Sequence, residues 1–188
     1  MDRRTVLLGP VALPAAWLLA LSAREAAAGD PGTATIEKFY GEYVGEAVTQ
    51  TGEDFDKRSI NAKIRPVGAG FEMTWTLVIE KQDGKSTKGE NTFRFLPSKR
   101  PNLFISAMRT DMFGNAVPLD PMKGDPYLWA RLDGPSLIIY ALLITEEGGY
   151  EIQTYERTLQ PGGLALKFNR LRDGKVKRTI AGTLRKVK

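Results

Sequence analysis

Apolar and polar residues alternate along most of this chain, and this alternation constrains the fold more than any other feature. Between residues 71 and 79 an apolar side chain occupies every second position, and residues 60–64 and 164–168 repeat the pattern. A period of two is typical of a β-strand with one buried face. Similar stretches predict further strands at 43–50, 88–96, 102–109, 126–133, 137–144, 149–159 and 175–187.

Short glycine-containing turns separate many of these strands. The turns are Gln82-Asp83-Gly84, Asp133-Gly134, Glu147-Gly148-Gly149, Pro161-Gly162-Gly163 and Asp173-Gly174. Strands joined by such tight turns are antiparallel neighbours. A long meander hides its unpaired edges most simply by closing on itself. We therefore predict an all-β fold, a closed or nearly closed antiparallel meander β-barrel of about 9–10 strands.

One short helix is expected before the first strand. Ile36, Phe39 and Tyr40 form an apolar stripe at helical spacing, a threonine precedes them as a cap, and Gly41 follows as a stop. Because this stripe needs an apolar partner, we expect the helix to plug or flank the barrel.

The first 28 residues have the three parts of an export signal. Arg3 and Arg4 supply a charged start, residues 7–21 are mostly apolar, and three alanines precede position 29. The apolar run has about 15 residues, fewer than the ~20 that cross a bilayer comfortably. We predict a cleaved signal peptide over 1–28 and a single barrel domain over 29–188, located in the periplasm or secreted. An uncleaved anchor stays open, as does the choice between the general secretory route and the twin-arginine route.

The chain of 188 residues contains neither cysteine nor histidine. This excludes disulfides, the usual zinc sites and nucleophiles activated by a histidine base. The net charge is +5, and the basic residues are interspersed with acidic ones except in 170–188. Nucleic-acid binders typically show a basic stripe with interleaved aromatic residues, and outside 170–188 the sequence has none. We predict no catalytic set, metal site, cofactor or nucleic-acid partner, and no stable membrane insertion after cleavage. An enzyme would have to rely on Tyr, Lys, Arg or carboxylate groups.

The start of the first strand carries a family resemblance. Gly41, Tyr43 and Gly45 share one face, and this pattern resembles the Gly-x-Trp signature of lipocalin, avidin and nitrobindin barrels, with tyrosine in place of tryptophan. The late basic strand, with Arg178 and Arg185, is similar to the lipocalin arrangement in which an arginine stacks on that aromatic ring. The resemblance implies a calycin-type barrel of an exported bacterial protein and no particular activity. The chain departs from it in having no histidine for a haem and more than eight predicted strands.

Two strands carry aromatic and arginine side chains on one face each. If both faces point inward, they line a cavity suited to a small amphipathic or anionic ligand. If both point outward, the arrangement we favour, Arg131 and Arg157 pair with Glu151 or Glu156 on the surface. If the interior proves to be filled by side chains, with no cavity above about 300 Å³, the ligand hypothesis is lost. The ligand-binding candidates are Tyr43, Trp75, Tyr127, Trp129, Arg131, Gln153, Tyr155 and Arg157.

Two further segments bear on function. Residues 110–126 carry three prolines and no periodicity, and they form either a lid, with Met112 and Phe113 at its tip, or a strap over one end of the core, which we favour. Residues 137–144 are apolar on both faces, so another segment or a second copy in a homodimer must cover the outer face. The predicted function is non-catalytic ligand binding in the periplasm. The alternative is a structural or protein-interaction module with a filled barrel.

Overall fold

The structure, a computed structural model, describes residues 34–49, 57–80, 85–110, 112–113 and 115–188. The predicted signal peptide and the turn predicted at Gln82-Asp83-Gly84 lie outside these residues. The other four predicted turns each join two neighbouring antiparallel strands.

Ten strands close into an antiparallel barrel, as the alternation predicts. Strands that follow one another along the chain are neighbours, except that β8 pairs with β5 and that β12 returns to pair with β1. A small separate hairpin, β6 with β7, lies between β5 and β8 in sequence. The strands are β1 (Gly41–Thr49), β2 (Lys57–Val67), β3 (Gly70–Glu80), β4 (Ser86–Pro97), β5 (Leu103–Ser106), β6 (Arg109–Thr110), β7 (Ala116–Val117), β8 (Tyr127–Asp133), β9 (Ser136–Ile144), β10 (Tyr150–Gln160), β11 (Gly163–Arg172) and β12 (Lys175–Lys186).

The first and last strands close the barrel through a seam that requires glycine. Gly45 lies opposite Leu184, and a Cβ atom at Gly45 would stand 2.0 Å from the carbonyl oxygen of Thr183. The backbone of β12 therefore occupies the space that a side chain would need. The inward face of β1 is correspondingly small apart from Tyr43, which is fully buried, as the sequence predicts.

A 3-10 turn, Ile36–Phe39, stands where the sequence predicts a short helix. The predicted short helix is thus present as a single turn of 3-10 helix, and the chain leaves it in extended conformation at Tyr40. The Phe39 side chain is fully buried, and the Tyr43 hydroxyl donates a 2.8 Å hydrogen bond to the Phe39 carbonyl. The turn thus closes one end of the barrel, here called the closed end; the opposite end is called the open end.

Aromatic side chains fill the closed end. The Phe71 ring stacks on Phe95 with centroids 5.0 Å apart and meets Phe104 edge-on at 5.2 Å. These contacts matter because β5 is short and pairs with β4 over only three residue positions. Side-chain packing therefore reinforces the barrel wall where the backbone ladder is thinnest.

The cation on the Tyr43 ring is a lysine. Lys186 lies opposite Tyr43 in the β1–β12 register, and its Nζ stands 5.8 Å from the ring centroid and 2.6 Å from the Tyr40 carbonyl. Arg178 lies at the open end of the barrel, and the side chain of Arg185 is exposed on the outer face. The arginine stacking expected from the lipocalin resemblance was wrong, because the register places Lys186 there instead.

Residues within the chain cover part of the outer face of β9. Ile138 is buried on that face, the Trp129 ring stacks on Tyr140 at 4.9 Å, and the second 3-10 turn, Pro121–Lys123, packs against the same strand. Leu119, just before that turn, packs on the core. These contacts favour the strap interpretation of 110–126.

Alanine substitution of two strand glycines tests the closing seam. We expect Gly45→Ala to lower the free energy of unfolding by about 2–3 kcal/mol, because its Cβ meets the backbone of β12. Gly89→Ala is the matched control, since nothing lies within 4 Å of its added Cβ, and its effect should stay within about 0.5 kcal/mol. Urea unfolding of both variants measures the difference. Equal losses would contradict the close approach of β12 at Gly45.

Candidate functional site

A cavity of about 240 Å³ lies inside the barrel toward its open end. Most of its wall is apolar or aromatic, and two amide side chains, Asn91 and Gln153, also reach it. Four arginines complete the wall, while none of the lining residues is acidic. The arginines are Arg58, Arg157, Arg170 and Arg178.

The strand register decides which predicted site residues face this cavity. Ile139 is buried in the core and lies opposite Ala130 on β8 and Tyr155 on β10. Directly opposed residues share a face of a sheet. Tyr155 is therefore inside while Trp129, one position away from Ala130, is outside. Two of our expectations were wrong. The face of β8 that carries Trp129 and the face of β10 that carries Tyr155 do not point the same way, and the latter points inward instead of outward.

Gln153, Tyr155 and Arg157 line the cavity together with Trp75 from β3. Four other candidates lie elsewhere. Tyr43 is buried at the closed end, whereas Tyr127, Trp129 and Arg131 are on the outer surface, where Arg131 forms a 2.6 Å ion pair with Asp133. The interior of β8 is instead formed by Leu128, Ala130 and Leu132.

The predicted lid residues do not close this cavity. Met112 is 89% exposed, Phe113 is 81% exposed, and neither is among the lining residues.

An aromatic row crosses the lumen beside the cavity. Trp75 and Tyr155 stand on strands that four others separate in either direction, yet their ring centroids are 5.1 Å apart. Phe93 extends the row from Trp75 at 5.1 Å, and Phe168 extends it from Tyr155 at 5.0 Å. The rings contact each other across the barrel, so they divide the packed closed end from the cavity.

Arg157 is the next inward residue of β10 beyond Tyr155, toward the closed end. Its side chain is fully buried, and its guanidinium carbon lies 5.8 Å from the Trp75 ring and 5.9 Å from the Tyr155 ring. Neither Nε nor Nη1 has a hydrogen-bond partner among the described residues. Burial lowers the pKa of Arg157 to about 10, only partly opposed by Tyr155, so the group is still a cation at neutral pH.

A chain of hydrogen bonds runs from the aromatic row toward the mouth of the cavity. The Tyr155 hydroxyl donates to the Gln153 carbonyl, the Gln153 amide donates to Glu151 at 2.6 Å, and Arg170 forms a 2.6 Å ion pair with Glu151. Burial raises the pKa of Tyr155 to about 12, so its hydroxyl stays protonated and donating. Burial also tends to raise the pKa of Glu151, but hydrogen bonds from Arg170 and Gln153 outweigh it and keep this pKa below the ordinary value.

The mouth of the cavity is basic. Arg170 on β11 lies directly opposite Arg178 on β12, and both line the cavity. Like charges in opposed positions repel, and Glu151 offsets the charge of Arg170. Just outside, Arg172, Lys175 and Lys177 add cations to a second pocket that also contains the carboxylates Glu151 and Asp173. A positive rim of this kind attracts anions toward an opening.

Sequence reasoning missed three of the cavity arginines. Arg58, Arg170 and Arg178 were not candidates, although a signal was present. Each lies two positions from an inward apolar residue, respectively Ile60, Phe168 and Ile180. In a strand such residues share a face.

No metal site accompanies this cavity within the described ranges, where no three acidic side chains gather in a way that could hold an ion. Among the helical segments of that same part of the chain, none is long and apolar enough to cross a membrane.

Comparison with known proteins adds little to this geometry. No family model and no curated protein matches the chain. A solved structure that matches is an N-terminal dehydratase from the difficidin assembly line, with 8% sequence identity, 79% of this chain and 78% of that chain covered, and a TM-score of 0.23. A likeness at this TM-score carries no argument about the chemistry of the cavity.

Replacing Arg157 tests whether its charge is uncompensated. Because burial lowers the folded-state pKa of Arg157 to about 10, below its ordinary value, the cost of burying the cation is fully present below pH 10 and is relieved as the pH rises through the folded-state pKa. The shift corresponds to about 3 kcal/mol. We expect Arg157→Met to raise the free energy of unfolding at pH 7 by about 1–3 kcal/mol, measured by urea unfolding.

Arg131→Met is the matched control on the outer surface. Its ion pair with Asp133 is half exposed, so removing it should change stability by less than about 1 kcal/mol. A large loss of stability in Arg157→Met, with Arg131→Met unchanged, would show that the ring contacts fully compensate the buried charge.

Proposed function

We propose that this chain is an exported, non-catalytic binding protein that holds one small ligand in the cavity of its barrel. The carrying observation is a cavity wall that combines aromatic rings with four arginines and has no acidic residue among its described lining residues. A barrel whose interior served only stability would be expected to fill this space with apolar side chains. Cations around a partly apolar pocket instead suit a ligand with a negative group and an apolar body.

The cavity volume limits the ligand to a compact molecule. The 240 Å³ available is below our expected lower limit of ~300 Å³ for a ligand cavity, so the proposal holds only for a ligand smaller than that limit implies. This volume corresponds to the room of about eight water molecules. This narrows the expectation drawn from the sequence, because a long-chain amphipathic molecule does not fit, whereas a molecule of the size of benzoate does.

Export and family remain part of this proposal. The arginines, apolar run and alanines of residues 1–28 support a cleaved signal and a periplasmic or secreted location. The closed ten-stranded meander is consistent with a calycin-type barrel. Lipocalins and streptavidin, which have barrels of this type, bind one small ligand inside the barrel.

A second candidate function is that of a protein-interaction module, with a second copy of the chain as one partner. An apolar band runs around the outside, formed by residues that lie opposite one another on neighbouring strands: Leu96, Ile105, Trp129 and Tyr140. Leu96 is 41% exposed and Ile105 is 47% exposed. Exposed apolar patches of this kind often mark interfaces.

Ligand binding is tested on the exported chain purified from its own host. We expect native mass spectrometry to show a small-molecule adduct that denaturation releases. For added ligands, Trp129→Phe leaves Trp75 as the only tryptophan after position 28. Since Trp75 lines the cavity, binding should change its fluorescence. Absence of both an adduct and any fluorescence response across a panel of small anions would count against the proposal.

Light scattering coupled to size exclusion tests the interaction function. For the ligand-binding function we expect a monomer. A dimer that Ile105→Glu dissociates would favour the alternative instead, because that charge falls within the outer apolar band. Val48→Glu is the control, since Val48 is 63% exposed on a strand remote from the band, and it should leave the mass unchanged.

A further inference from the structure

We propose that the ligand is a compact monocarboxylate that binds with its carboxylate deep in the cavity at Arg157 and its apolar body toward the mouth. This inference rests on the proposed function and names the chemical class and orientation of the ligand. Its starting point is the one charged side chain of the cavity wall that is fully buried and has N–H groups without an acceptor, among the residues that the structure describes.

The surroundings of Arg157 attract its charge but leave its hydrogen-bonding capacity unused. The faces of the Trp75 and Tyr155 rings lie 5.8 and 5.9 Å from the guanidinium carbon. A ring face stabilises a cation electrostatically, but it does not supply the oxygen acceptor that an N–H group requires. Nε and Nη1 remain unpaired, and unpaired buried donors are rare in native proteins.

Neighbouring polar side chains do not supply the missing acceptor. Glu151, two inward positions above Tyr155, is held by Arg170 and by the Gln153 amide, each at 2.6 Å. The Gln153 carbonyl accepts from the Tyr155 hydroxyl. Glu151 and the Gln153 amide are thus committed to one another, so the described residues supply no counter-charge for Arg157, and we infer that a bound anion supplies it.

A carboxylate meets this requirement better than other anions. It is planar, carries a single charge at neutral pH and accepts two parallel hydrogen bonds from a guanidinium. A phosphate monoester carries nearly two charges and more acceptors than this mostly apolar wall can satisfy. Since Arg157 carries a single positive charge, a ligand with a single negative charge complements it best.

The rest of the cavity fixes the orientation. Leu77, Ile79 and Ile180 line its wall together with the Phe168 ring, so the body of the ligand gains contacts when it is apolar and flat or small. The mouth carries Arg170 and Arg178, which attract the anion as it approaches. With the charge at Arg157 and the apolar part against these side chains, both ends of the ligand meet complementary surface.

The test compares benzoate with benzamide, its neutral planar analogue, on the exported chain carrying Trp129→Phe. Trp75 fluorescence and isothermal titration calorimetry report binding. We expect benzoate to bind roughly ten- to hundredfold more tightly than benzamide, because charge-assisted hydrogen bonds distinguish them. Adding Arg157→Met should reduce benzoate affinity to that of benzamide and leave benzamide binding unchanged. Adding Arg131→Met, on the outer surface, should change neither.

Other outcomes separate this inference from the proposed function. Equal affinities for benzoate and benzamide would keep the cavity as a binding site and overturn the carboxylate assignment. Undiminished benzoate binding in Arg157→Met would place the anion elsewhere and also overturn it. If neither compound binds while native mass spectrometry shows another adduct, the assignment fails and the function stands; with no adduct, both fail. Should Arg157→Met not fold, the benzoate and benzamide comparison on the parent chain decides.

Discussion

Closure of β1 against β12 is the constraint on which the rest of this molecule depends. Once the last strand pairs with the first, every strand has an inner and an outer face, and each side chain is assigned to one of them. The approach of the two backbones at Gly45 leaves no room for a side chain. An open sheet of the same strands would leave an unpaired edge at each end and would have no lumen in which Arg157 could be buried.

The lumen is divided along its length into two regions of different chemistry. At the closed end, Phe39 and the cluster around Phe71 belong to the buried hydrophobic core. Beyond the aromatic row the wall carries arginines and amides. The row marks this boundary, because rings on opposite walls meet only there. Core packing and the proposed ligand recognition thus fall in separate parts of one interior, and the buried guanidinium of Arg157 lies where the two parts meet.

Most of the fold follows from the sequence, because apolar and polar residues alternate along a strand that buries only one face. The ten barrel strands and the closed barrel were predicted in this way, and four of the five predicted turns lie in the described residues and join neighbouring strands. The inward face was harder to assign. On β8 the residues Leu128, Ala130 and Leu132 are all apolar and indicate that Trp129 faces outward. On β10 both faces mix polar and apolar residues, so parity alone does not distinguish them.

What decides the face of β10 is its register with β9, where Tyr155 lies opposite the buried Ile139. Register depends on how two strands pair, so the sequence of one strand alone does not determine it. A slip of one residue moves every side chain of the strand to the opposite face of the sheet. The volume of the cavity is likewise a property of all ten strands together. The predicted N-terminal helix is limited to one 3-10 turn because strand β1 begins directly after Tyr40, at Gly41.

The short pairing of β5 has a consequence for how the wall moves. A strand joined to β4 by three residue pairs contributes few backbone hydrogen bonds, so the barrel is held there chiefly by the phenyl rings of Phe71, Phe95 and Phe104. Ring packing is lost all at once, when the rings separate, whereas a long ladder frays one bond at a time. We therefore expect local opening at this seam to be cooperative, so that the amide hydrogens of β5 exchange with solvent together.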